Sequence, residues 1–232
     1  MDRQIVEFVR VIVLAFVALF PVVNPVGGAP IFLSLTGRYP PSAQKVLARK
    51  IAVYGFALLA VSLVLGSEIL AFFGITLYVV QIAGGLVVAF TGWTLLNQPE
   101  TDADSTEKQT PATLEDALAH AFFPLTLPIT VGPGSLSIAV TIGAHLRSQA
   151  GPGFIHGYPR HLLAALGGMF LVCLLVVPCY GNADVLEQKL GKSGTNILVR
   201  LSAFIVLAIG IQIVWSGLSS GLPQLLTHPA LH

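Results

Sequence analysis

Charge is what this sequence has least of. Its 232 residues hold 12 Lys and Arg against 11 Asp and Glu, a net charge of +1. That balance gives a nucleic-acid backbone nothing to bind, and a chain so poor in charge cannot face water as one compact soluble domain. Cysteine is almost missing. Cys173 and Cys179 lie six residues apart in one apolar run, outside any metal-ligand spacing, and read as packing residues. No His-Glu cluster, Ser-His-Asp grouping or phosphate loop occurs, which counts against an embedded enzyme, and neither a cofactor nor a metal is expected. Strands of alternating polarity about ten residues long are also absent, which argues against an outer-membrane barrel.

What the chain has is apolar length. Hydrophobic residues make up 54% and the mean hydropathy is +0.81. Six segments could cross a hydrocarbon core that needs about 20 residues per helix. They are 11–23 (extendable back to 5 and on to 35), 51–67, 75–96, 121–146, 162–180 and 201–222. Helices satisfy their own backbone in lipid, so the expected fold is an all-α polytopic membrane protein. Arg3 and Arg10 ahead of the first run imitate a secretory signal, but no small-x-small site closes that run, so a retained first helix is the better reading.

None of the spans carries a charge at its middle. The Asp or Glu usual in a proton-driven carrier is therefore missing, and no coupling ion is implied. The Lys and Arg between spans set an orientation. With six crossings, one side holds Arg3, Arg10, Arg147 and Arg160. The other holds eight: Arg38, Lys45, Arg49, Lys50, Lys108, Lys189, Lys192 and Arg200. Both termini then lie outside the cytoplasm. The acidic stretch 98–117 reads as a cytoplasmic linker between units 1–97 and 118–222, with a tail over 223–232.

Those two units look like copies. Residues 20–30 read FPVVNPVGGAP and residues 123–133 read FPLTLPITVGP, at a constant offset of 103. Phe20 matches Phe123, and Pro21, Pro25 and Pro30 match Pro124, Pro128 and Pro133. A weaker echo pairs VQIAGGLVVA (80–89) with VRLSAFIVLA (199–208). A duplicated unit of three helices re-enters the membrane from the opposite side, giving two inverted three-helix repeats, an architecture common among secondary transporters.

The prolines have a mechanical consequence. Each removes a helical hydrogen bond and clashes with the preceding turn, so three within ten residues must break the first and fourth helices. Unbroken, residues 5–35 would run about 46 Å at 1.5 Å per residue, more than a core of about 30 Å requires. Asn24-Pro25 has the form of a fresh helix start, asparagine as N-cap and proline at the first helical position. Gly132-Pro133-Gly134-Ser135 offers the same pairing in the second copy. Gly27, Gly28, Gly132 and Gly134 carry no side chain to keep a ligand from the backbone. Each break would thus present helix N-terminal amides suited to a carboxylate. The alternative is that the prolines only kink and the glycines only pack.

The stretches NPVGGAPIFLSLT (24–36) and PLTLPITVGPGSLS (124–137), with the six-span profile, resemble the MarC family (the UPF0056 type) of prokaryotic inner-membrane proteins, also described as neutral amino acid transporters. The resemblance covers nearly the whole chain. It implies a multi-pass inner-membrane protein that moves small neutral amino acids.

Polar residues in or beside the breaks, Asn24, Ser34, Thr126, Thr130, Ser135 and Ser137, could hydrogen-bond a zwitterion or satisfy the broken backbone. His120 and Glu68 could handle protons but stand where interfacial residues belong. Gln81, Thr91 and Gln212 read as interhelical hydrogen-bond partners and Trp93 and Trp215 as interface anchors. The expected function is a carrier with a midplane site made of Asn24, Pro25, Gly27, Gly28, Thr126, Thr130, Gly132, Pro133, Gly134 and Ser135. Its partners would be a small-molecule solute and membrane lipid, with no nucleic acid and a homo-oligomer left open. A channel for a small metabolite or ion, and a non-transporting scaffold or sensor, are the competing classes.

Overall fold

In the computed structural model the described residues are 3–37, 39–97, 114–148 and 158–227, and all their regular structure is helical. Helix α1 (Arg3–Val23) and α2 (Pro25–Thr36) are separated by Asn24 alone. Then come α3 (Pro41–Phe72), α4 (Leu77–Leu96) and the short α5 (Leu114–Ala119). A widened π-type segment, π1 (Ala121–Thr130), precedes α6 (Pro133–Ser148), α7 (Tyr158–Gly181) and α8 (Ala183–Thr227). Five stretches are long and apolar enough to cross a membrane: Gln4–Leu33, Pro41–Phe72, Leu77–Leu96, Pro159–Gly181 and Ser193–Leu222. The remaining expected span, 121–146, is cut into π1 and α6, so neither piece alone reaches crossing length.

Several expected boundaries move. The second span extends well beyond 51–67 at both ends, because Pro40-Pro41 starts the helix and Gly74 at φ 66° ends it. The last helix is longer still, but Gly191 (φ 65°, ψ 172°) divides it, a conformation that an L side chain adopts only under strain. Residues 98–113 of the expected linker, Arg38 and the tail from residue 228 lie outside the described residues. Leu114 to Ala117, expected in the linker, open α5 instead, and Pro223 to Thr227 of the expected tail continue α8.

Contacts fix the relative directions of the helices. Helices α1 and α7 run parallel: Arg160 Nη1 donates to Gln4 Oε1 at 2.7 Å, and further along Gly168 packs on Ile12 and Phe16. Helix α3 is antiparallel to α7, with Lys45 at Gly181, Gly55 at Cys173, and the Phe56 and Phe170 rings 5.8 Å apart. Helix α4 is antiparallel to α8 along a seam of small residues. Tyr78 faces Gly221, Gly85 faces Gly210, and Gly92 faces Ala203. Where lipid supplies no hydrophobic drive between helices, such small residues let backbones approach and gain dispersion contacts.

The core lies between α1, α2, α3 and α7. Leu19, Phe32, Leu47, Ile51, Leu59, Leu63, Met169, Val172 and Val176 are fully buried there. The outside is apolar too: Phe72, Phe90, Ile197 and Trp215 are strongly exposed. A surface of this kind suits acyl chains rather than water.

Candidate functional site

The first break is built as its residues suggest. Asn24 takes a left-handed conformation (φ 47°, ψ 60°), which asparagine tolerates because its side chain can bond locally. Its Oδ1 accepts from Gly27 N at 3.1 Å and its carbonyl accepts from Gly28 N at 2.8 Å, while Pro25 occupies the first helical position. Two of the amides a ligand would need are therefore used by Asn24 itself. The faces of the glycines are also occupied. The Asn24 side chain and Ser202 fill the space beside Gly27, and the Tyr180 hydroxyl fills that beside Gly28.

The second break is wider. Phe123 (φ −122°, ψ 126°) and Leu127 (φ −112°, ψ 123°) leave helical geometry, and α6 restarts at Pro133. Leu127 aligns with Asn24 at the offset of 103, so the two proline-rich stretches break at aligned residues. Leu127 has no capping side chain. Buried threonines add bonds to the backbone here: Thr126 Oγ1 donates to Ala121 O at 2.7 Å and Thr130 Oγ1 to Leu125 O at 2.8 Å. Ser135 Oγ donates to Gly132 O and Ser137 Oγ to Pro133 O. All four hydroxyl protons thus serve the broken backbone and keep only lone pairs for other use.

Gly134 corrects the expectation of an open backbone. It is buried, and a Cβ there would collide with Val88 of α4. Gly27, Gly28 and Gly134 are glycines because helices pass close to them. At α6 the first-turn amides of Gly134 and Ser135 precede the first intrahelical bond, from Leu136 N to Gly132 O at 3.1 Å. Pro133 is exposed, Gly132 half-buried and Pro25 buried; the side chains of Ser34 and Pro128 lie outside the described residues.

Tyr180, which the sequence reading passed over, joins the two breaks. It is 1% exposed and its ring stacks on Phe32 of α2 with centroids 4.8 Å apart. Its hydroxyl lies against Gly28 and 3.2 Å from Thr130 Oγ1. Since the Thr130 proton points to Leu125 O, Tyr180 is the donor. A tyrosine closing an otherwise apolar run beside Pro178 is the signal that could have found it, because a buried phenol needs a partner.

A cleft leads toward this assembly without entering it. A cavity of about 670 Å³ between α1, α6 and α7 has Glu7, Arg10, His145 and His161 at one end and Ala15, Ala18 and Ile142 at the other. A second, of about 230 Å³, shares Ala18, Thr141 and Ile142 and adds Gln81, Gln212 and Ser216 from α4 and α8. Among the described residues, no break residue lines either one. Along α1 the cavities stop at Ala18, six residues before Asn24, and on α6 they reach Ile138, four residues after Gly134, about 9 and 6 Å of helix. Beyond the breaks the described residues pack closely. Thr36, Tyr39, Gln44, Ala117, Ala121 and Ala183 are buried, and Gln44 Nε2 ties the α2–α3 turn by donating to Thr36 O (3.1 Å) and Tyr39 O (3.2 Å).

Other expected roles sort out by contact. Glu68 pairs with Arg147, which also donates to Val64 O at 2.6 Å. His120 is exposed, its Nδ1 2.7 Å from Asp116 O. Thr91 does not reach across helices; it donates to Val87 O of its own helix at 2.8 Å. Cys173 is buried and Cys179 half-buried, both free, and Trp93 and Trp215 are exposed.

The comparisons with known proteins agree with this architecture. The sequence pattern of the MarC family integral membrane proteins matches residues 9–222. The UPF0056 membrane protein YvbG of Bacillus subtilis is 30% identical over 214 residues, covering 92% of this chain and 97% of that protein. The UPF0056 inner membrane protein MarC of Escherichia coli is 29% identical over 217 residues, covering 91% and 96%. A UPF0056 membrane protein of Aquifex aeolicus is 29% identical over 217 residues, covering 92% and 95%. No solved structure matches the chain. With its family pattern spanning nearly the whole bundle, the chain belongs to the MarC family of integral membrane proteins.

Proposed function

We propose that the protein is a secondary transporter of a small solute, a small neutral amino acid, working by movement of two broken helices around a midplane site. The observation that carries this reading is the arrangement of the breaks. Both lie beneath a cleft that is open at one end of the bundle and above a floor of closely packed residues. A carrier needs such a one-sided opening, whereas a channel needs a through path.

In this reading the chain crosses the membrane six times, π1 and α6 together forming the fourth crossing, and the two halves are inverted repeats. The directions support it. The related helices α3 and α7 are antiparallel, as are α4 and α8. An axis in the membrane plane produces that relation, while an axis along the membrane normal would leave related helices parallel. The lysine and arginine bias supports an orientation with both termini outside the cytoplasm, in a prokaryotic inner membrane as for the Escherichia coli relative. The free first-turn amides of Gly134 and Ser135 would meet a carboxylate once the cleft deepens, and carbonyls of the first break would meet an ammonium group.

The test is uptake by proteoliposomes of labelled alanine, glycine and serine, with counterflow. Saturable uptake accelerated by internal solute is expected. Flux without saturation or counterflow would make the protein a channel. No flux of any panel member by a well-folded preparation would leave the scaffold reading.

A further inference from the structure

We infer that the larger cleft, between α1, α6 and α7, holds one glycerophospholipid of the surrounding bilayer, with an acyl chain along α1 and a headgroup that pairs a phosphate with a primary ammonium. This goes beyond the transport reading and does not depend on it; under that reading, the lipid occupies the solute's approach until it is displaced. The cleft has two chemistries laid end to end. Its α1 wall is Glu7, Arg10, Val11, Leu14, Ala15 and Ala18, the i, i+3, i+4 pattern of a single helical face. The first two are charged and the rest are apolar. Across from them, His145 and His161 stand at the charged end and Ile142 at the apolar one. From Glu7 to Ala18 this face runs for about 16 Å, close to the roughly 15 Å of hydrocarbon in one leaflet. A polar end followed by an apolar length of one leaflet matches the proportions of a lipid.

The cleft has a floor and an open side. Ala15 and Leu146 are buried at its base, whereas Leu14, 57% exposed, and Ala18 stand at its rim. An opening along the apolar length faces acyl chains rather than water, so a chain can enter sideways and keep neighbouring lipids on its exposed side. The space of about 670 Å³ lies within the range of roughly 300–1,000 Å³ typical of clefts that hold an organic ligand. The charges select the headgroup. Glu7 and Arg10 are one turn apart on the same face, yet among the described residues no ion pair joins them. Their charges cancel, which suits a headgroup that is itself neutral overall. Arg10 offers a planar fork of donors to a phosphate, and Glu7 accepts from a primary ammonium, which has three N–H groups to give. A quaternary ammonium has no N–H for Glu7, and a purely anionic headgroup would meet its carboxylate with the wrong sign.

The test is native mass spectrometry of the full chain in detergent, titrated with phosphatidylethanolamine, phosphatidylcholine and phosphatidylglycerol of identical acyl chains. One phosphatidylethanolamine per chain should be retained, about tenfold more tightly than either of the others. Arg10→Gln should lower that affinity about tenfold, and Glu7→Gln should abolish the preference over phosphatidylcholine. Ala18→Phe fills the apolar end without touching a charge and should weaken binding of all three. Glu7, Arg10 and Ala18 are exposed, so thermal unfolding of these variants should match the wild type. Position is read in nanodiscs, with Cys173 and Cys179 replaced by alanine. A bimane on Val17→Cys, beside Leu14 and Ala18, should be quenched by phosphatidylethanolamine with brominated chains at a lower mole fraction than a bimane on Phe90→Cys, an exposed position of α4. Equal affinity for the three headgroups, or affinity unchanged in both Arg10→Gln and Ala18→Phe, would overturn the site. Tightest binding of phosphatidylglycerol would overturn the ammonium contact at Glu7 and with it the headgroup assigned here. A chain that retains no lipid and forms a dimer dissolved by Ala18→Phe would make the cleft an interface between two copies instead. None of these readouts uses transport, so the uptake experiment above stands or fails separately.

Discussion

The hydroxyl of Tyr180 donates to Thr130 Oγ1 at 3.2 Å while resting on the bare face of Gly28, so a single side chain of α7 touches both helix breaks. If the breaks move against each other, this contact must change.

Tyr180→Phe removes one buried hydrogen bond and keeps the stack on Phe32. The expected loss of stability is about 1 kcal/mol, since Thr130 retains its bond to Leu125 O. Tyr180→Ala empties the core and should cost about 3–5 kcal/mol. Thermal unfolding followed by size-exclusion chromatography separates the two. Uptake by the phenylalanine variant should change by more than its small stability loss explains; wild-type kinetics would show that Tyr180 only packs.

Asn24 combines a left-handed backbone with a capping side chain, and substitutions can divide these roles. Asn24→Gly keeps the conformation and should cost only a few tenths of a kcal/mol. Asn24→Ala loses the cap, about 1 kcal/mol, and adds about 1–2 kcal/mol of left-handed strain. The stability order Asn, Gly, Ala is the expected result of thermal unfolding. Alanine equal to or better than glycine would mean that Asn24 is not held at positive φ.

Residue patterns made the break positions legible because proline and asparagine act through local backbone chemistry, which a sequence displays directly. Asn24 as N-cap, Pro25 at the first position of α2 and Pro133 at the start of α6 all stand as read. Glycine was harder. The same lack of a side chain serves an approaching ligand or an approaching helix, and only the placement of Val88, Ser202 and Tyr180 shows that helices occupy these faces. The cleft was not legible either. Glu7, Arg10, His145 and His161 come from three helices far apart in sequence, and no periodicity announces their meeting. Gln81 and Gln212 stood out only as polar residues in apolar runs.

The direction of α4 against α8 can be checked by cross-linking. In a background without Cys173 and Cys179, Tyr78→Cys with Gly221→Cys should form a disulfide on mild oxidation, because those positions touch. Tyr78→Cys with Ala203→Cys should not, as Ala203 faces Gly92 near the other end of α4. The reverse pattern would make the helices parallel and remove the support for inverted repeats.

Gly134 offers the sharpest separation of packing from ligand contact. A Cβ at this position meets Val88, so Gly134→Ala should destabilise the protein by about 1–3 kcal/mol through overpacking. Removing the opposing methyl groups with Val88→Ala should relieve the clash, and the double variant should recover most of the stability lost by Gly134→Ala. Neighbours in contact are expected to couple in this way, by about 0.5–3 kcal/mol. Uptake by the double variant then decides what the amides beside residue 134 do. Recovery of transport together with stability would assign Gly134 to helix packing alone. A double variant that is stable and still impaired would return the α6 amides to the solute path, because Cβ crowds the approach to them even after Val88 has given way.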